Sequence, residues 1–124
     1  MPARYRERLG STFILTMAPA DPCLALYPMV TWLSICERLD AAPLKDEAFR
    51  NFVRDLFSHT EEASCDGQGR LLIPTILRGK AGIERAATSV GVLSRVEVWN
   101  PQRLEELRPI RDDAVRISAE LGLY

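Results

Sequence analysis

Two ten-residue stretches of this chain, MPARYRERLG (1–10) and IPTILRGKAG (73–82), share proline, arginine and glycine at matched places. Pro2 answers to Pro74, Arg6 to Arg78 and Gly10 to Gly82, each 72 positions apart. Further on, LYP (26–28) answers to WNP (99–101) at a spacing of 73. Each copy reads as proline, short helix, glycine, two strands, proline, helix. A duplicated order of elements constrains the fold more than any single motif, because each unit is too small to bury its own apolar faces. At 124 residues the chain makes one compact domain or two very small halves sharing a core.

The elements follow from local patterns. TFILT (12–16) and CLALYP (23–28) read as strands, and Pro19 and Pro22 between them continue neither. From Pro28 a helical stripe runs through Val30, Leu33, Cys36 and Leu39 until Pro43 breaks it. A second amphipathic helix spans 45–57, with Phe49, Phe52, Val53, Leu56 and Phe57 on one face and Asp46 and Glu47 in its first turn. SHTEEASC (58–65) is a weak strand by propensity. TILRGKAG (75–82) is a short helix closed by Gly82. RAATSVGV (85–92) and RVEVW (95–99) are strands, the latter with a half-buried edge pattern in which Val96 and Val98 alternate with Arg95, Glu97 and Trp99. The tail from Gln102 is charged and helical, interrupted at Pro109.

Charge and thiols narrow the function classes. Sixteen basic against seventeen acidic residues give a net charge of −1, so a grip on nucleic acid through bulk charge is excluded. Binding to DNA would need a local patch, multiplied by oligomerisation. No apolar run approaches the ~20 residues of a membrane span, and the arginines at 4, 6 and 8 have no apolar stretch directly behind them, so no secretory signal is expected. Cys23, Cys36 and Cys65 form no C-x-x-C pair and read as small buried hydrophobes in a reducing cytosol. His59 is the sole histidine, six positions before Cys65. One histidine and scattered cysteines make neither a zinc set nor a convincing thiolate pair, and Glu61 and Glu62 face opposite sides of a strand. No phosphate-binding glycine loop occurs. No enzyme activity, cofactor or metal is expected.

The segment SCDGQGRLLIP (64–74) remains. Asp66 is placed to accept backbone N–H groups just ahead of it, while Gly67 and Gly69 suit the positive φ of a tight hairpin around Gln68. Arg70 opens the next strand. On physics alone the segment is a hairpin tip that presents one fixed cation, or a plain turn with an Asp–Arg pair.

D-G-Q-G-R-L-L-I-P-x-x-L-R-x-x-A-G resembles the second half of the MraZ family, bacterial transcription regulators built from two AbrB/SpoVT-type units. The D-x-x-x-R signature falls on Asp66 and Arg70. TFILT, CLALYP, Trp32, the helix at 48–57 and EVW at 97–99 fit the same family, over almost the whole chain. The family carries D-x-x-x-R in both halves. Here the first half starts at Pro2, after the place where its motif, the first hairpin of copy one, would lie, so half of the DNA-facing turns that the resemblance implies are expected to be absent. Phe13, Leu15, Leu24 and Leu26 are then expected to lack cover, with altered solubility or assembly as the result.

The resemblance implies an α+β fold of two AbrB-like swapped-hairpin (βαββ-type) repeats in a small barrel, helices flanking. Residues 1–57 would be the first repeat, N-terminally incomplete and with a linker helix, and 58–124 the second with a C-terminal helix. It further implies a cytoplasmic, nucleoid-associated repressor of the division and cell-wall gene cluster. That repressor would bind promoter direct repeats in double-stranded DNA as a ring-shaped homo-oligomer, away from any membrane. Arg70 would touch DNA, Gln68 would reach backbone or base, and Asp66 would orient the turn with Gly67 and Gly69. Arg78 and Arg6 form a second tier, paired with acids or turned to phosphate. The alternative is an AbrB-type antitoxin or protein-interaction module. Its amphipathic tail, with Leu104, Leu107, Val115, Leu121 and Leu123, would clasp a partner or pack on its own barrel or a ring neighbour.

Overall fold

A computed structural model of the chain describes residues 1–123. Helix α1 (Ala3–Leu9) leads into strands β1 (Phe13–Met17) and β2 (Leu24–Pro28), then helices α2 (Met29–Asp40) and α3 (Glu47–Ser58). Strand β3 (Glu61–Ala63), helix α4 (Thr75–Ala81), strands β4 (Thr88–Val92) and β5 (Arg95–Trp99), and helices α5 (Pro101–Glu106) and α6 (Arg111–Leu121) complete the order. The bounds of α1 and α4 differ by the repeat spacing of 72 at both ends. Both begin after a proline whose φ is already helical, −57° at Pro2 and −56° at Pro74. Both stop at a glycine of positive φ, Gly10 at 84° and Gly82 at 66°.

The strands form one antiparallel sheet in the order β3-β1-β2-β5-β4. Each copy supplies a hairpin, and β2 joins β5 at the centre with Leu24 opposite Val98 and Leu26 opposite Val96. The expected small barrel does not form. β3 and β4 are the two edges of an open sheet, and helices cover both of its faces, so most apolar side chains of β1, β2 and β5 are buried without closure. On one face Tyr5 and Leu9 of α1 and Leu77 and Ala81 of α4 pack on Phe13, Leu15, Leu26 and Val98. On the other face Trp32 of α2 and Leu56 of α3, with Leu104 of α5 at the margin, cover Ile14, Ala25, Tyr27 and Trp99.

This layering corrects three readings of the sequence. Phe13, Leu15, Leu24 and Leu26 are not left bare, since each is at most 1% exposed under α1 and α4. β5 is an interior strand rather than an edge, and Trp99 and Glu97 are buried with the valines. Glu97 is tolerated there because it accepts hydrogen bonds from the Arg95 guanidinium and, at 2.9 Å, from the Trp99 indole, while Arg95 also donates to the Tyr27 hydroxyl at 2.8 Å. In α2 Trp32 is the buried side chain; Cys36 and Leu39 of the expected stripe pack beside it on the core, whereas Val30 and Leu33 point to solvent. The first half of the stripe differs because the bulky Trp32 takes the inward place, its ring tilted against those of Tyr27 and Phe57.

Candidate nucleic-acid interface

Asp66 organises the turn at 66–70. Its Oδ1 accepts the backbone N–H groups of Gln68 and Arg70, both at 2.9 Å, and its Oδ2 accepts the Arg70 Nε at 2.8 Å. The main chain closes the loop as well, with Asp66 N donating to the Arg70 carbonyl and Gly69 N to the Asp66 carbonyl, each at 2.9 Å. Cys65 and Leu71 pair across its base as an isolated antiparallel bridge. The N–H and guanidinium of Arg70, helped by the N–H of Gln68, hold the Asp66 carboxyl below the usual aspartate range.

Only one of the two glycines bends the wrong way for an L-residue. Gly69 has φ 79°, whereas Gly67 keeps negative φ, so the expected positive φ at Gly67 is not adopted. Gly69 has a second reason to lack a side chain. A Cβ there would lie 2.9 Å from Cζ of Arg6, whose guanidinium rests against the turn from α1. Arg6 therefore serves the tip by packing across the repeat, and its Nε has no hydrogen-bond partner among the described residues. Met1 adds a contact from the same segment, its amino group donating to the Gly69 carbonyl at 3.1 Å.

The side chain of Arg70 is 75% exposed. Because only Nε is committed to Asp66, both terminal nitrogens stay available as a pair of donors, the geometry that reads a guanine edge or bridges a phosphate. Gln68 is exposed at the apex. Arg78 is not part of this cluster. Its guanidinium donates to the Glu84 carbonyl at 2.7 Å and pairs with no acid among the described residues, which fixes the strand entry after α4. The packing of Arg6 on Gly69 had one sequence signal, its place in the repeat, but that signal carries no information about which backbone it meets.

His59 Nε2 contacts Asp55 Oδ1 one helical turn back at 3.3 Å. No group of three metal-ligating side chains occurs among the described residues, and no helix there is long and apolar enough to cross a membrane. Burial pushes the Cys23 thiol up to about 12.

Residues 56–109, which include the turn, match the family model described as "MraZ protein, putative antitoxin-like". The chain is 40% identical over 126 residues to a protein named transcriptional regulator MraZ from Clostridium tetani, covering 99% of this chain and 88% of that one. It is similarly 42% identical to the protein of that name from Clostridium beijerinckii, across 98% of this chain and 85% of the relative. A third, from Desulfitobacterium hafniense, is 41% identical across 97% and 83% respectively.

Proposed function

This chain belongs to the MraZ family, and on that premise we propose that it is a transcriptional regulator whose Arg70 tip contacts double-stranded DNA. The observation that carries the reading is the exposed guanidinium, held at a fixed height by Asp66 and free at both terminal nitrogens. Gln68 reaches the same surface, Gly67 and Gly69 let the backbone approach it, and Asp66 sets the direction of Arg70. The two halves, 1–57 and 58–124, are read as AbrB-type swapped-hairpin repeats, which the matched elements of the two copies support.

One tip is a weak reader. A single arginine on a base edge supplies roughly 1–3 kcal/mol, and a net charge of −1 adds no general attraction. Affinity then comes from several tips in one ring-shaped homo-oligomer, set against direct repeats in a promoter. In this reading the protein works in the cytoplasm on the nucleoid, as a repressor of the division and cell-wall gene cluster. The antitoxin or interaction-module alternative is favoured by one observation, the exposed apolar side of α6.

A gel shift on the promoter upstream of the gene tests the regulator reading. The wild-type chain is expected to bind with steep salt dependence. Arg70→Ala is expected to weaken binding at least tenfold at unchanged thermal stability, since the side chain it removes is exposed. Equal binding by the two proteins overturns the assignment of Arg70.

A further inference from the structure

The α2–α3 side of the molecule carries an open groove of about 530 Å³, floored by Cys36, Leu39, Phe49, Val53 and Phe57. α3 is strongly amphipathic, yet only Leu56 is buried, and Phe52 and Phe57 remain about two-fifths exposed. The rim holds Lys45, Arg50 and Arg54 against the single acid Asp40, a local balance of +2. Arg50 and Arg54 spend their hydrogen bonds on the Lys45 carbonyl and the Asn51 amide oxygen rather than on an acid.

The same chain carries a helix with the complementary character. α6 buries no residue. Ala114, Ile117 and Leu121 fall at i, i+3 and i+7, one stripe of the helix, and the N-cap Ile110 precedes them. Ile110, Ile117 and Leu121 are 66%, 43% and 68% exposed. Asp113 and Glu120 lie beside that stripe, and Asp112, Asp113 and Glu120 against Arg111 and Arg116 leave the helix at −1. The helix is about 16 Å long at 1.5 Å per residue, close to the length of α3.

We propose that α6 of one copy seats in the α2–α3 groove of a second copy, with Asp113 and Glu120 facing Arg50 and Arg54. Groove and helix are different patches of one surface, so the contact is head-to-tail and closes into a ring when the rotation allows. The inference supplies the joint of the multimer and rests on that part of the proposed function. It does not depend on DNA contact.

The groove holds its own reporter thiol, Cys36. In a full chain carrying Cys65→Ser to silence the other accessible thiol, Ile117→Cys on α6 is expected to form a disulfide with Cys36 of a second copy under mild oxidation. Covalent species of two or more copies should then run on a non-reducing gel, and Cys36→Ser should abolish them. A closed monomer, or no disulfide at all, overturns the proposal. Light scattering gives the second measurement. Arg54→Glu or Asp113→Arg alone should lower the particle mass at least twofold, and the two together should restore it, whereas a mass that neither changes overturns the assignment. Arg70→Ala should keep the cross-link while losing DNA, so failure of the joint and failure of the regulator reading are separate results.

Discussion

The two hairpins occupy matched places in the repeat but are built to different standards. β1 is hydrogen-bonded on both sides, by β2 and β3, and places Phe13 and Leu15 in the core at 1% and 0% exposure. β4 is bonded on one side only, by β5, and every residue in it is half-buried. Toward the shared core β4 offers Ser89 and Gly91, opposite Val98 and Val96, where β1 offers Leu15 and Met17 opposite Leu26 and Leu24. The space is not wasted. A Cβ on Gly91 would lie 2.8 Å from the Tyr5 ring, so α1 fills on the second hairpin the room that side chains fill on the first. Duplicated units diverge in this way once they share a core, because one copy's bulk can be supplied by the other copy's helix.

The largest expected effect breaks the comparison outright. Leu15→Ala removes a fully buried side chain and should cost about 3–4 kcal/mol in urea melts, while Ser89→Ala should stay within about 0.5 kcal/mol. Equal losses would show the two hairpins to be energetically alike. A middle-sized effect sharpens it at the paired glycines. Gly10 has φ 84° and ψ −176°, a region essentially confined to glycine, with free space around the missing Cβ. Gly82 has φ 66° and ψ 28°, left-handed helical, with the Arg103 guanidinium over it. Gly10→Asn should therefore cost about 2–3 kcal/mol and Gly82→Asn about 1 kcal/mol, after Arg103 swings aside. The smallest effect concerns the turn at 66–70. Because Asp66 titrates lower in the folded chain than in the unfolded one, its contribution is fully present above the ordinary aspartate range. It is lost as pH falls through the lowered folded value. Protection of the Gln68 and Arg70 amides against exchange should hold down to about pH 4 and fall below it, and Asp66→Asn should remove that transition.

Features fixed by neighbours in the chain were legible in the sequence. Prolines at 2 and 74 and glycines at 10 and 82 marked α1 and α4, because helix starts and stops are decided within a turn. The Asp66–Arg70 pair was readable for the same reason, both partners lying in one turn. Features decided by a second layer were not. Glu97 read as solvent-facing because alternation reports burial on one face only, and here α2, α3 and α5 cover the other. The packing of Arg6 on Gly69 joins positions 63 apart by subtraction of their numbers, and no local rule links them. The weak strand at 58–65 shortened to Glu61–Ala63 because α3 runs on through Ser58.

Arg6 belongs to the opening helix, yet it props the bend that carries Arg70. On the proposed contact of Arg70 with DNA, a genetic screen for lost operator control should recover alleles at position 6 as well as at the apex. Such alleles would leave Arg70 and Gln68 chemically intact and alter only how firmly their turn is braced.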